Sequence, residues 1–517
     1  LNPQAPEFWV FLLLLLAVYS VCTLIGAGVR AGRENIVELP RALAHSCKVP
    51  ILLAGVILAV CVMGTLIGAA IFRSGAYYDL LDVQSGDFTE DVAEISYSEI
   101  PMLDKDSSIQ LGRRALGSIG ADSNLVSQFE VSDSEYSQIN YKGEPVRVAP
   151  LVYGNIIKWF NNRAQGLPGY IVVNMVTQEA DLVQLSDGIK YSTGEHFGRN
   201  LYRTLRFRYP TMMFGDVNFE IDEDGTPWWI CSRLVKRIGL FGGADAQGAV
   251  LVNAVTGESS YMEEVPSWVD RVYDADLLVQ QYNYHGRYVN GWINSWLGQK
   301  GITTTTEGYN YIALNDDVYL YTGVTSAGGD ESNVGFILIN QRTKEAKYYN
   351  ITGATEYSAM SSAQGAVQHL NYTATFPILL NISDQPTYFM ALKDSAELVK
   401  MYAMVNVSDY QITATGTSVA QCQQNYEQLL SQNGVQVTAP ALDDAAEQET
   451  ISGTVTEIRS AVVDGNTIFY FALGGDVYYA VSAQSCQQAV IINVGDTVTI
   501  TYLPGEGDIL TASQIKS

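Results

Sequence analysis

Apolar and polar positions repeat on three different periods along this chain. Residues 8–29 and 49–72 form two unbroken apolar runs without a charged side chain, each long enough to cross about 30 Å of hydrocarbon as a helix. Beyond them, short stretches of β-branched and aromatic residues alternate with polar ones between Asn, Asp and Gly clusters, the period of strands joined by tight turns. Helical spacing intervenes at 106–116, 152–160, 196–206, 265–298 and 360–370. The pattern predicts an α+β protein: an N-terminal transmembrane helical hairpin, repeated helix-plus-antiparallel-hairpin modules, and a C-terminal small β-barrel.

One octapeptide organises the middle of the chain. Residues 172–179 read VVNMVTQE, 251–258 read LVNAVTGE and 338–345 read LINQRTKE. Two β-prone residues, an Asn, a Thr and a Glu before an alternating run describe a strand, a polar turn and a return strand. Residues 360–392 supply a fourth, divergent module. A lone hairpin cannot bury its apolar face, so neighbouring copies must stack. Five short strands follow between 452 and 514, an OB-like arrangement. The expected boundaries are a two-helix anchor over 1–75, an acidic stalk over 76–105, the repeated extracytoplasmic domain over 106–432, a linker over 433–450 and the small barrel over 451–517.

The repeated turn after hhhN, set among alternating helices and hairpins, resembles PepSY modules, with Asn174 and Gln178-Glu179 standing where PepSY signatures carry Asp and Gly-Glu. A membrane hairpin, such modules and a terminal barrel are together similar to membrane-anchored proteins of Gram-positive bacteria. The resemblance implies binding or restraint of a partner protein, with no cofactor.

Charge refines the picture. The 517 residues hold 55 acidic and 30 basic side chains, and so acidic a surface repels phosphate backbones, which excludes nucleic acid as a partner. Four of the basic residues, Arg30, Arg33, Arg41 and Lys48, connect the two apolar runs, whereas acids dominate after Phe72. The positive-inside rule then puts loop 30–48 in the cytoplasm and residues 76–517 outside. Gly64 and Gly68 form a GxxxG face suited to close helix packing in the membrane.

Candidate chemistry is sparse. HExxH, GxSxG and a Walker loop are absent, the six cysteines lack metal spacing, and the four histidines lie far apart. No metal or catalytic set is expected. Asp222-Glu223-Asp224-Gly225 opens like a calcium loop but lacks the closing Glu, so it reads as a turn. The aromatic stretch 265–298 offers Tyr284, His285, Tyr288, Trp292 and Trp296 as a surface for a sugar, membrane lipid or a membrane or envelope protein partner; packing onto a sheet is the ordinary alternative. These features lead to a membrane-anchored extracytoplasmic binding, scaffold or regulatory protein without catalytic activity. The alternatives are a cell-envelope hydrolase using carboxylate chemistry in an aromatic-lined cleft, and an accessory subunit of another membrane protein.

Overall fold

The computed structural model describes residues 2–31, 48–95, 100–118, 125–314, 316–326, 332–435, 437, 449–463, 466–475, 477–482, 486–502 and 509–516. Most of the 30–48 loop and the 433–450 linker, the glycine-rich turn at Gly328-Gly329 and the Asp464-Gly465 turn lie outside them. Two compact units result, Leu1–Tyr426 and Glu427–Ser517. The boundary falls within a helix, Val419–Gln432, a little before the expected linker.

Helices α1 (Pro6–Ala31) and α2 (Lys48–Ile67) are long and apolar enough to cross a bilayer. The residues preceding α1 and the end of α2 meet the same part of the domain. Gln4 donates to the Lys236 carbonyl at 3.0 Å and Asn2 to that of Thr211 at 2.9 Å. A Cβ on Gly64 would sit 2.8 Å from the Leu240 side chain, and one on Gly68 3.0 Å from the Ile238 carbonyl oxygen. Both glycines thus admit the Ile238–Leu240 turn of the domain at these positions.

The expected stalk is instead folded structure. Helix α3 (Ala70–Tyr78) continues from α2, β1 (Val83–Ser85) pairs in parallel with residues 346–348, and Leu81, Phe88, Val92, Ile100 and Leu103 are buried. An acidic composition hid these apolar anchors, which are spaced too irregularly to show a period.

Four antiparallel meanders make up the domain. The first is β2 (Ser137–Tyr141), β3 (Glu144–Tyr153), β4 (Leu167–Asn174) and β5 (Ala180–Ile189), preceded by α4 (Lys105–Ser118). The second is β6 (Met213–Ile221), β7 (Pro227–Ile238), β8 (Gly242–Asn253) and β9 (Ser259–Met262). Helices α5 (Ala275–Tyr288) and α6 (Gly291–Trp296) lead to β10 (Asn310–Leu314), β11 (Asp317–Ser326), β12 (Gly335–Asn340) and β13 (Ala346–Tyr349). Helix α7 (Glu356–Ala366) precedes β14 (Ile378–Ile382), β15 (Gln385–Lys393), β16 (Val399–Asn406) and β17 (Thr413–Gly416). Each module is therefore two hairpins, the second of which carries the octapeptide turn in the first three. The helix expected over 152–160 starts later, because β3 runs to Tyr153 and Asn155 caps Ile156–Asn162 by accepting from the amides of Ile157 and Lys158.

Sheets of this kind need cover on both sides. Every residue of β12 is buried, which a sheet with one wet face would not allow. The cover comes from the neighbouring meanders. Tyr170 donates to the Gly225 carbonyl across the first seam, the Val272 and Tyr273 amides to Gln341 across the second, and Asn310 to the Phe376 and Pro377 carbonyls across the third. The fourth seam returns to the start: Gln178 donates to the Tyr402 hydroxyl at 2.9 Å, and Lys393 pairs with Asp104 at 2.5 Å.

The recurring octapeptide joins the third and fourth strands of the first three meanders. Asn174, Asn253 and Asn340 each accept, through Oδ1, from the amides two and three residues later, at 2.8–3.0 Å. Gln178, Gly257 and Lys344 follow with positive φ, and each Thr hydroxyl accepts from the Glu amide. Asn406 stands at the same place in the fourth meander, accepting from the Asp409 amide at 2.9 Å.

The second unit holds six strands in the order Glu449–Thr454, Thr497–Tyr502, Ile509–Lys516, Tyr478–Ser482, Asn466–Ala472, Glu457–Val463. The first expected strand is thus divided at Val455-Thr456. Val455, Phe471, Val481, Val498, Ile500 and Ile515 form its core.

Asn253→Ala removes two side-chain-to-amide bonds from one turn, so a loss of about 1–2 kcal/mol in denaturant unfolding is expected. An unchanged midpoint would show that the backbone alone sets this turn.

Candidate functional site

The first strands of the meanders converge. Ser137 on β2, Asp216 to Asn218 on β6, Asn310 and Tyr311 on β10, and Thr373 to Phe376 leading into β14 line one cleft of about 850 Å³. Its wall combines Tyr136, Tyr202, Tyr309, Tyr311 and Phe376 with the carboxyls of Asp104, Asp106, Glu135, Asp216 and Glu397 and the cations Lys105, Arg147, Arg271 and Lys393. Apolar rings with a few convergent polar groups are what a small-molecule or glycan site requires.

Glu135 lies between the short strand Phe129–Val131 and β2. Its Oε1 accepts from the Thr193 hydroxyl, while Oε2 is buried with no hydrogen-bond partner. Burial raises its carboxyl above the ordinary range, against the Thr193 and Ser132 hydroxyls. Such a shift favours the protonated form, the one a general acid uses.

Asp216 reaches the cleft through a β-bulge. Pairing of β6 with β7 shifts register between Phe214 and Val217, and Gly215 occupies the irregular step; bulges re-aim side chains in this way. Asp216 is exposed. Its amide donates to Asp274 at 3.3 Å, and the Asp274 carboxyl is pushed up to about 6, by burial first and by the Asp216 charge second.

Asp104 behaves oppositely. Burial pushes its carboxyl up, but hydrogen bonds from Lys393 and Ser107 and the Lys393 charge together outweigh that and leave it below the ordinary range. With one oxygen on Lys393 and the other on the Ser107 amide at 3.0 Å, it is already engaged.

Beneath Asn218 on the same face of β6 lies Glu220, fully buried, accepting from the amides of Asp270 and Arg271 at 2.9 and 3.1 Å. Asp270 accepts from the Asn140 amide at 2.7 Å. Burial raises both carboxyls, and for Asp270 the Glu220 charge adds to it. Two carboxylates in one dry place cannot both ionise cheaply. Among the described residues, no three His, Cys, Asp or Glu side chains gather as a metal site would need.

The residues proposed from sequence lie elsewhere. Tyr284, Tyr288 and Trp292 pack with Tyr77, Leu80 and Ile238, and His285 stacks on Tyr78 with Nδ1 3.2 Å from the Tyr78 carbonyl oxygen. They fasten α5 and α6 to α3, and none lines the cleft. Trp296 remains exposed beside them. Glu135 and Asp216 escaped sequence reasoning because they are 81 positions apart and belong to no spacing motif. The one usable signal was Gly215, a lone glycine within a strand pattern.

No protein-family model matches this sequence, and no curated protein matches it. Among solved structures, the chain is similar to a GH43 β-1,3-galactosidase determined with galactodeoxynojirimycin, at 10% identity over 56% of this chain and 74% of that one, TM-score 0.18. It is also similar to Bacillus subtilis levansucrase, at 8% identity over 82% and 96%, TM-score 0.19. A third is the polysaccharide lyase Uly1, at 9% identity over 75% and 76%, TM-score 0.17. No residue role passes from them to this chain. The expectation of a binding, scaffold or regulatory protein without catalytic activity is corrected: the meanders converge on an open cleft holding a desolvated carboxyl, not on a filled face.

The buried pair gives a pH dependence. A carboxyl whose folded value is raised contributes stability that is full below the unfolded value, near 4, and lost as pH rises through the raised one. Asp270→Asn keeps one acceptor for Asn140 and removes the charge. Thermal unfolding should therefore show a smaller fall in Tm from pH 5 to pH 8 than the parent chain shows; equal slopes would place the titration elsewhere.

Proposed function

We propose that this protein is a membrane-anchored hydrolase of cell-envelope glycans, with one active site in the cleft where the four meanders meet. The observation that carries the reading is Glu135: a buried carboxyl with a free oxygen and a raised pKa, in a tyrosine-lined concavity that also exposes Asp216. Glu135 is the general acid and Asp216 the second carboxylate, acting on the opposite side of the bond as base or nucleophile; glycoside hydrolysis needs such a pair. Tyr202, Tyr309 and Tyr311 offer rings for sugar faces. Lys393 and Asp104 hold each other in place.

Four sheets that cover one another in sequence, with first strands innermost, support a propeller-like ring. In the second unit, residues 449–463 bend at Val455 and serve both ends of the strand order, and Tyr478–Ser482 runs parallel to Ile509–Lys516. That connectivity supports the OB-like reading. The basic loop between the apolar helices and the acidity beyond them support a domain outside the cytoplasmic membrane. Exposed Ile293, Trp296 and Leu297, adjoining α3 where it leaves α2, suit the lipid interface.

Glu135→Gln and Asp216→Asn should each lower hydrolysis of isolated envelope glycans by at least about 100-fold while circular dichroism stays unchanged. Activity surviving both substitutions at the parent rate would remove this cleft as the active site.

A further inference from the structure

Among the described residues, no carboxylate lies within ion-pair distance of two arginines in the cleft. Arg147 on β3 is only 6% exposed, yet among the described residues the one hydrogen bond of its guanidinium runs from Nη2 to the amide oxygen of Gln138 at 3.0 Å. Arg271 donates from Nη2 to the Tyr311 hydroxyl at 2.9 Å. The Nε of each is buried without a hydrogen-bond partner among the described residues. Three other cations of this unit with side chains less than one-third exposed are paired with acids: Arg342 with Asp317, Lys344 with Asp245 and Lys393 with Asp104. In a chain with 55 acidic residues, leaving two guanidiniums unpaired is not forced by a shortage of carboxylates.

The neighbouring acids do not fill the gap. Asp104 and Asp106 favour the charged form of Arg147 from a distance, but Asp104 is held by Lys393; burial and the Arg271 charge pull the guanidinium down, to about 10. Glu220 and Asp274 help keep Arg271 charged, and Glu220 spends its two oxygens on main-chain amides. A buried cation is costly until an anion meets it, and guanidinium forks fit carboxylate and phosphate oxygens in pairs.

We infer that the substrate of this cleft carries an anionic substituent, a carboxylate or a phosphate, that Arg147 and Arg271 receive together. The inference rests on the glycan-hydrolase reading for the rest of the substrate and adds its charge. Since the surrounding domain is acidic, recognition depends on these two groups and not on a broad field. Neutral sugars leave both cations unanswered, so they are discriminated against by the cost of the unpaired charge.

The test is calorimetric titration of the full chain in detergent micelles with D-glucuronate, inorganic phosphate and D-glucose at matched ionic strength. D-glucuronate or phosphate is expected to bind where D-glucose does not, the one that binds naming the anion. Arg147→Gln and Arg271→Gln should each weaken that binding by at least about thirtyfold. Arg147→Lys, which keeps the charge, should recover part of it and guards against a misfolded Gln variant. Glucose binding as tightly as glucuronate, neither anion binding, or anion binding that survives both Gln substitutions overturns the inference. Binding is read without turnover, so its failure leaves the hydrolase reading standing. Conversely, absent hydrolysis with intact anion binding counts against only that reading.

Discussion

The structure depends on closure between its last sheet and its first. Meanders buried on both faces have no stable open end, since a terminal sheet would expose a full apolar surface. Lys393, its side chain 5% exposed, meets Asp104 where the chain enters α4, 289 positions earlier. Removing Asp104 would leave the buried Lys393 ammonium with only the more exposed Glu397, 3.6 Å away, at a cost of up to about 3–5 kcal/mol. The Ser107 amide completes the shell of Asp104, so the clasp also begins α4. Joining the last meander to the first and lining the cleft are thus done by the same two side chains.

That economy explains the character of the cleft. Strands converging on an axis bring their side chains together at fixed spacing, and polar groups there are withdrawn from water by their neighbours. Lys393 keeps the Asp104 carboxyl below the ordinary range, burial raises that of Glu135, and Arg147 and Arg271 have no acid within ion-pair reach among the described residues. Opposite shifts in one concavity separate chemical roles more sharply than composition could. Glu220 and Asp270, lower on the same face, tie the first strands of two meanders through main-chain amides. They contribute cohesion where no substrate need reach.

Local rules were legible in the sequence. The octapeptide marked three hairpin turns because Asn, Thr and a residue tolerant of positive φ have physical duties there, and the two apolar helices declared themselves by length. Asn406, the fourth member, was hidden by a longer turn. Convergence was not legible. Nothing local distinguishes Glu135 or Asp216 from the other acids, since their value arises from closure between distant strands. The aromatics of α5 and α6 drew notice by type, yet most of them pack against α3.

The glycines of α2 bring the same lesson to the membrane. A GxxxG face invites another helix when only the helix is in view. Here Gly64 and Gly68 sit against Ile238, Gly239 and Leu240, the turn between β7 and β8, while Gln4, just before the other apolar helix, reaches Lys236. Small residues permit a close approach without choosing the partner; the connectivity supplies it. Because α3 continues from α2 and packs under α5, the apolar helices are built into the domain, not joined to it by a stalk.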